Sequence, residues 1–256
     1  MQRSRNAPLA KDKWLVVSRP LERPRLRLFC FPYAGGSPVI FHHWPQGLPG
    51  DVELRAIQLP ARASRMAEAP MPRLDQVLDA LEPAIAPFLD LPFAFFGHSM
   101  GSLIAFELAR RLRRRGQQEP ARLFVSAHRG PHVPDPESPI HALPQARFLS
   151  ELSRRYGTTA ELQKNPDLLE LVLPALRADF ELLETYKYAP EEPLACPITV
   201  FGGKADSGVS MAHLEAWRAH TRGPFDIHML PGDHFFMHGN QAELLGLLSV
   251  ELQRLG

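Results

Sequence analysis

Short apolar runs alternate with amphipathic stretches along the chain from residue 26 onwards. Several of the runs are apolar almost throughout, which is typical of parallel strands covered on both faces. The pattern predicts strands at Leu26–Phe31, Val52–Leu59, Phe93–Gly97, Leu123–Ala127, Ile198–Gly202 and Phe225–Leu230. Helical spacing of apolar residues predicts helices at Leu74–Leu89, Ser102–Arg115, Gln145–Tyr156, Asp167–Tyr186, Met211–His220 and Ala242–Arg254. Such an alternation favours an α/β fold with a mostly parallel, doubly wound sheet.

One interval interrupts this alternation. Between the strand that ends near Ala127 and the one that starts near Ile198, about seventy residues contain two helical patterns and a proline-dense stretch, Pro131–Pro144. An insertion of this size over the carboxyl edge of the sheet would form a lid, at about residues 130–190. Active sites of open α/β sheets lie at that edge. We expect residues 1–24 to form a flexible lead-in and residues 25–256 to form one domain.

Composition narrows the class of protein. A chain of 256 residues with 45% hydrophobic residues is large enough for one domain with a substantial core. A net charge of +1 gives no field that would attract nucleic acid or a membrane surface. Cys30 and Cys196 both stand in strand-like contexts and are expected to be buried, reduced thiols. We therefore expect a cytoplasmic, monomeric protein with no metal, no cofactor, no nucleic-acid partner and no membrane partner.

The segment Gly97-His98-Ser99-Met100-Gly101 carries the first chemical signal. It joins a predicted strand to a predicted helix, and strand, G-x-S-x-G, helix is the pattern of a nucleophile elbow. Glycines flank the serine because bulky side chains would collide with the neighbouring strand or helix. The backbone N–H of Met100 lies at a helix N-terminus, where a developing negative charge is stabilised. The side chain of His98 should point away from Ser99.

A serine hydroxyl at its ordinary pKa is a weak nucleophile, so it needs a histidine base and a carboxylate that orients this base. After an elbow of this kind the acid comes next in the chain and the histidine last. His234 follows the last predicted strand and precedes the last helix, so we predict that it is the base. Asp206 follows the strand Ile198–Gly202 through a glycine turn, and we predict that it is the acid. Weaker alternatives for the acid are Asp179, Asp226 and Asp233.

A second oxyanion donor is expected in the loop after the first predicted strand. There Gly35-Gly36 permits a close approach of the backbone, and we select the N–H of Ala34 as the donor.

These motifs together resemble one family. From about Leu26 to its C-terminus the chain is similar to the stand-alone type II thioesterases that accompany nonribosomal peptide synthetases and polyketide synthases. The motifs that carry the resemblance are, in order, Cys30-Phe31-Pro32-Tyr33-Ala34-Gly35-Gly36-Ser37, Gln58-Leu59-Pro60-Ala61-Arg62, Phe96-Gly97-His98-Ser99-Met100-Gly101, Leu173-Pro174-Ala175-Leu176-Arg177-Ala178-Asp179-Phe180, Glu184-Thr185-Tyr186, Gly203-Lys204-Ala205-Asp206 and Pro231-Gly232-Asp233-His234-Phe235-Phe236.

The resemblance implies an α/β-hydrolase fold with a helical lid. It also implies hydrolysis of acyl groups from the phosphopantetheine arm of acyl- or peptidyl-carrier proteins, in the editing or unblocking of a synthase. Ser99 would be the nucleophile, Asp206 the acid and His234 the base, with the amides of Ala34 and Met100 holding the oxyanion. Two alternatives stay open: a generic carboxylester hydrolase with the same triad, and a partner of the same fold that binds carrier proteins without catalysis.

The chain departs from the family pattern where it has Tyr33 in place of the usual histidine and Asp233 in place of a frequent glycine. Tyr33 would narrow or line the mouth of the site, and an unpaired Asp233 would raise the pKa of His234. Arg62 and Arg65 follow the second predicted strand and are candidates for binding the carrier phosphate, although a salt bridge that fixes the loop explains them equally well. The basic run Arg110–Arg115 either docks an acidic carrier or forms a solvated helix end.

Overall fold

The computed structural model describes residues 13–157 and 165–255. Within these residues lie seven strands that form one sheet. They are β1 (Leu15–Val16), β2 (Leu26–Phe31), β3 (Val52–Ile57), β4 (Phe93–His98), β5 (Arg122–Ser126), β6 (Ile198–Gly203) and β7 (Phe225–Leu230). Their order across the sheet is β1-β3-β2-β4-β5-β6-β7, and only the β1–β3 pair is antiparallel. The predicted α/β fold with a mostly parallel sheet is confirmed.

The described helices flank the sheet. They are α1 (Leu74–Ile85), α2 (Met100–Arg114), α3 (Gln145–Tyr156), α4 (Pro166–Thr185), α5 (Met211–Glu215), α6 (Phe236–Gly239) and α7 (Gln241–Gln253). Short 3₁₀ segments at Ala86–Phe88 and Ala216–His220 continue α1 and α5. Pro83 lies inside α1 and has no N–H to donate to the carbonyl of Asp79. The helix continues through Pro83 because both residues lie on its exposed face.

The sheet begins earlier in the chain than the hydrophobic pattern predicts. Leu15 and Val16 pair with Ile57 and Ala56 of β3, and Trp14 and Leu15 are buried. A strand of two residues has no periodicity that a sequence pattern could reveal. Residues 13–24 of the expected lead-in therefore belong to the described fold, and residues 1–12 lie outside the described residues.

The two faces of the sheet explain the continuous apolar runs. Along β4, Phe93 and Phe95 pack into the cluster formed with α1 and α2, whereas Ala94 and Phe96 pack into the cluster formed with α7. Successive side chains of a strand point to opposite faces, so a strand covered on both faces must be apolar at every position. Every residue of β4 is buried for this reason.

The interval between β5 and β6, residues 127–197, contains α3 and α4 and is called the insertion below. Its helices form a separate apolar cluster that includes Phe148, Leu152, Leu176 and Phe180. Ala34, in the loop after β2, packs against both this cluster and the main core. The insertion therefore rests on the loop that follows β2.

Both cysteines are buried free thiols, as predicted. Burial raises the pKa of Cys30 and raises that of Cys196 to about 12. In the part of the chain that the structure describes, no helix has the length and apolar content to cross a membrane.

Candidate active site

Ser99 occupies a strained turn between β4 and α2. Its backbone has φ 51° and ψ −117°, a conformation that non-glycine residues rarely adopt and that functional residues often do. A Cβ on Gly97 would collide with the backbone of Gly101, and a Cβ on Gly101 would collide with the carbonyl of Phe31. The two flanking glycines are thus required by close approach of the backbone, which is the geometry predicted from the sequence.

The turn places Ser99 at one end of a hydrogen-bonded chain with two residues that are distant in the sequence. Its Oγ lies 3.0 Å from Nε2 of His234, and Nδ1 of His234 lies 2.8 Å from Oδ2 of Asp206. His234 comes from the loop after β7 and is 7% exposed, and the Asp206 side chain follows β6 and is 3% exposed. The structure therefore brings together the three residues selected from the sequence, in the order serine, acid, histidine.

Asp206 is held by its own loop. Its Oδ1 accepts hydrogen bonds from the backbone N–H groups of Gly208 at 2.9 Å and Val209 at 3.2 Å. Oδ2 is thereby left to accept the proton of Nδ1 of His234. With Nδ1 protonated, Nε2 carries the lone pair that faces the Ser99 hydroxyl.

His98 is buried and points away from Ser99, as expected. Its Nε2 lies 3.0 Å from the carbonyl oxygen of His234, and its Nδ1 lies 2.9 Å from Oγ of Ser126. Burial and the neighbouring His234 lower the pKa of His98 well below its usual range, so the ring is neutral. Because a carbonyl only accepts, Nε2 donates to it and Nδ1 accepts from the Ser126 hydroxyl. The sequence gives no signal for this contact between His98 and the loop of the predicted base, because the two residues are 136 positions apart.

The loop after β2 forms a tight turn next to the elbow. The N–H of Gly36 donates to the carbonyl of Tyr33 at 2.8 Å, and Gly35 has φ +76°. A positive φ at the third position is the signature of a type II turn, with Ala34 and Gly35 as its central residues. Within the described residues, the N–H of Ala34 has no hydrogen-bond acceptor. Met100 is the first residue of α2, where N–H groups have no partner inside the helix.

The structure corrects the prediction that Arg62 and Arg65 face a carrier protein. Arg62 is 5% exposed and makes a bidentate ion pair with Asp179 of α4, and Arg65 is 3% exposed. Arg65 donates to Glu68 and to the carbonyl of Gln58, and its guanidinium lies over the ring of Trp14. Both cations are occupied by internal partners, so the alternative of loop-fixing salt bridges describes them.

Tyr33 lies half-buried against the segment that follows the predicted base. Its hydroxyl is 3.0 Å from Nε2 of His238, and its ring makes edge contacts with His98, Phe235 and His238. Burial lowers the pKa of His238 and raises that of Tyr33. A role of Tyr33 in lining the mouth stays a prediction.

Tyr156, the last residue of α3, was not selected from the sequence. Its ring centroid lies 5.0 Å from that of His234, and it also packs against Phe180 of α4. Burial raises the pKa of its hydroxyl. The insertion thus contributes an aromatic side chain directly to the surroundings of His234. No local pattern distinguishes this tyrosine from others at helix ends, so only the fold reveals it.

Two further charged features are explained by internal partners. The carboxylate of Asp233 accepts a hydrogen bond of 2.8 Å from the N–H of Phe235, so it caps its own loop. The basic run Arg110–Arg115 forms ion pairs with Glu107 of its own helix and with acidic residues of other elements, namely Asp79, Glu82 and Glu191. The run is a paired network rather than an open basic surface.

Comparison with known proteins decides the family. A model of the thioesterase domain matches residues 26–250, which is most of the chain. The chain belongs to the thioesterase domain family. The resemblance inferred from the motifs is thereby confirmed.

Relatives of this thioesterase carry the comparison further. It is 41% identical over 242 residues to the gramicidin S biosynthesis protein GrsT of Aneurinibacillus migulanus, covering 94% of each chain. It is 35% identical to the thioesterase PikA5 of Streptomyces venezuelae, covering 96% of this chain and 88% of that protein. The structure of the type II thioesterase BorB from the borrelidin biosynthetic cluster matches with a TM-score of 0.84 and 33% identity, over 95% of this chain and 97% of that one. These neighbours confirm the α/β-hydrolase fold and the enzyme class.

Proposed function

We propose that this thioesterase hydrolyses acyl groups from the phosphopantetheine arm of carrier-protein domains in a nonribosomal peptide or polyketide synthase. The observation that carries the proposal is the continuous hydrogen-bonded chain from Ser99 through His234 to Asp206 in a member of the thioesterase family. Its relatives from gramicidin S and borrelidin biosynthesis support a role beside such synthases.

In the first step, Nε2 of His234 takes the proton of the Ser99 hydroxyl as Oγ attacks the thioester carbonyl carbon. The carbon–oxygen double bond opens, and its electron pair forms an oxyanion that the N–H groups of Ala34 and Met100 stabilise. Asp206 stabilises the positive charge that His234 acquires. The carbon–sulfur bond then breaks, the pantetheine sulfur receives the proton from His234, and an acyl ester on Ser99 remains.

In the second step, water replaces the thiol. His234 accepts a proton from this water as its oxygen attacks the acyl ester, and the same two amides hold the second oxyanion. The bond to Oγ breaks, Ser99 recovers its proton from His234, and the free acid leaves. A thiolate is a better leaving group than an amine, so the site needs no further acid for the first bond cleavage.

The test is a comparison of substrates. Hydrolysis is measured for acetyl-, medium-chain acyl- and aminoacyl-carrier proteins and for a p-nitrophenyl ester of the same acyl group. The proposal predicts a higher kcat/KM for carrier-bound thioesters, and a preference for short acyl units would support editing. A preference for the free ester, with inert carriers, would favour a generic carboxylester hydrolase. No reaction of Ser99 with a fluorophosphonate probe would favour a binding partner without catalysis.

The lid role of the insertion, a monomeric state, a cytoplasmic location and the absence of nucleic-acid and membrane partners remain predictions. Gel filtration with and without an acylated carrier tests directly whether the protein is a monomer.

A further inference from the structure

A buried ion pair links the insertion to the loop after β3. Nη1 and Nη2 of Arg62 donate to the two carboxylate oxygens of Asp179 at 2.9 and 2.8 Å. The two side chains are 7% and 2% exposed. Burying two charges is costly unless the geometry is close and the remaining donors and acceptors are satisfied. The remaining donors and acceptors of this buried pair therefore need partners of their own.

Those remaining contacts lead to the turn that carries Ala34. Oδ2 of Asp179 accepts a second hydrogen bond, from the N–H of Gly35 at 2.7 Å. Nη1 of Arg62 also donates to the carbonyl of Gly36 at 3.2 Å. Each member of the pair thus holds one of the two residues that directly follow Ala34.

The backbone on both sides of Arg62 is strained, and this conformation directs the side chain toward its partners. Ala61 has φ 61° and Ala63 has φ 47°, so left-handed residues flank the arginine on both sides. Alanine in this region costs free energy and persists only where the surroundings impose it. Nε of Arg62 donates to the carbonyl of Pro60 at 3.1 Å, which fixes the side chain against its own loop. The strained loop aims the guanidinium inward at Asp179.

Helix α4 covers the same turn. Asp179 lies on α4, and Leu176, one turn earlier, places its Cδ1 2.9 Å from the position that a Cβ on Gly35 would take. Glycine is favoured at position 35 by its positive φ of 76°. The turn is therefore enclosed by α4 above and by Arg62 at its side.

We infer that Arg62 and Asp179 are positioning residues that hold the Ala34 amide in the oxyanion hole, and that the hole is complete only while α4 is seated on the turn. The inference rests on the proposed function, because it assumes that the Ala34 N–H binds the oxyanion. Neither residue touches the reacting atoms. Loss of either partner lets the turn relax and moves the amide away from the developing charge.

A displaced oxyanion donor has a characteristic kinetic effect. The donor stabilises the tetrahedral state and makes little contact with the ground-state carbonyl, so its loss lowers kcat and leaves KM almost unchanged. A misplacement of about 1 Å lowers the rate by about 10²-fold. A trifluoromethyl ketone analogue forms the same oxyanion on Ser99, so its inhibition constant should rise by the same factor as kcat falls.

The experiment compares Asp179→Asn and Arg62→Lys with Glu184→Gln as the matched control. Glu184 is a carboxylate on the same helix that anchors the insertion through the N–H groups of Ile140 and His141, and it does not touch the turn. Each variant is titrated with a fluorophosphonate to count active sites, and its Tm is measured. Then kcat and KM are measured with an acyl-pantetheine thioester and a p-nitrophenyl ester, together with the inhibition constant of the trifluoromethyl ketone.

We expect Asp179→Asn to lose about 10²-fold in kcat per titrated site, with KM within about twofold of wild type and a parallel rise in the inhibition constant. Arg62→Lys keeps the charge but not the fork geometry, so it should lose less, and it provides the test if Asp179→Asn does not fold. Glu184→Gln should keep the wild-type kcat per site even if its Tm falls.

Wild-type kcat and inhibition constant in the folded Asp179 and Arg62 variants would overturn the inference while leaving the proposed function intact. An equal loss in Glu184→Gln would also overturn the positioning role of Arg62 and Asp179, because the loss would then come from a loosened insertion and not from their contacts with the turn. A wild-type enzyme that cleaves the small ester but no carrier thioester would overturn the proposed substrate, and the comparison of variants on the ester would still decide the inference. A wild type inert toward every substrate and the probe would overturn both.

Discussion

Nε2 of His98 donates a hydrogen bond of 3.0 Å to the backbone carbonyl of His234. The residue that precedes the elbow serine thus holds the loop that carries the predicted base. Ser126, at the end of β5, fixes the other ring nitrogen of His98 at 2.9 Å. Three neighbouring segments at the carboxyl edge of the sheet are joined through this one neutral imidazole.

Replacing His98 should lower both the stability of the fold and the activity that depends on His234. His98→Phe keeps the ring but leaves the His234 carbonyl and the Ser126 hydroxyl without this partner, which costs about 1–3 kcal/mol for each buried group left unsatisfied. We expect a lower free energy of unfolding in urea and a lower kcat per titrated site. His228→Phe is the control, because its ring stacks on Phe201 at the sheet edge. Equal kcat in the two variants would contradict the role of His98.

The elbow glycine makes a sharp stability prediction. In Gly101→Ala the new methyl group would meet the carbonyl of Phe31, a backbone group that cannot rotate away. Overpacking costs about 1–3 kcal/mol, and contact with a rigid backbone group should place this variant at the upper end of that range. In Gly246→Ala, on α7, the methyl group meets no atom within 4 Å, so helix propensity should stabilise the protein by about 0.5–1 kcal/mol. Urea unfolding measures both, and similar values for the two variants would contradict the close approach.

Buried histidines should make stability fall on mild acidification. Burial lowers the pKa of His98 well below 6.5 and lowers those of His128 and His220 to about 4. The unfolded chain protonates these groups near pH 6.5 and the folded chain only at lower pH, so in between the unfolded state binds more protons. The free energy of unfolding should therefore decrease as pH falls below about 6.5, by up to about 1.4 kcal/mol per pH unit for each histidine.

Urea unfolding between pH 7 and 5 isolates this effect. Carboxylates such as Glu68, whose pKa is lowered to about 2 by Arg65, lose their contribution only as pH falls below about 4.5. His220→Gln removes one of the histidines and should reduce the slope. A flat profile in the wild type, or an unchanged slope in His220→Gln, would contradict the assignment.

Arg65 should contribute to the stability of the fold and not to the binding of the carrier protein. Arg65→Met leaves the carbonyl of Gln58 without its donor at 2.7 Å, which should lower the free energy of unfolding by about 1–3 kcal/mol. Because the guanidinium is buried, KM for an acylated carrier protein should stay within about twofold of wild type. A large rise in KM without loss of stability would restore the original prediction of a carrier contact.

The features that the sequence predicts correctly are local. The strand before Ser99, its flanking glycines and the following helix occupy adjacent positions, and their steric requirements appear directly as residue types. Asp206 and His234 follow from the order of elements, because each comes after a strand that ends at the same edge.

The features that the sequence does not predict depend on distant pairing. Arg62 and Asp179 are 117 positions apart, and His98 and His234 are 136 positions apart. A buried arginine and an exposed arginine look alike in a sequence, since burial is decided by the helix that packs over it. This is why the sequence suggests Arg62 and Arg65 as contacts at the mouth of the site, whereas both are buried against internal partners.

The central claim is that Ser99 forms the acyl-enzyme in hydrolysis of a carrier-bound thioester. The most direct test incubates wild type and Ser99→Ala with an acylated carrier protein and follows both release of the acid and the mass of the intact enzyme. We expect an acyl adduct on the intact wild-type enzyme, no adduct in the variant, and a loss of about 10⁴-fold or more in kcat. Turnover by Ser99→Ala at a rate near that of the wild type would contradict the account.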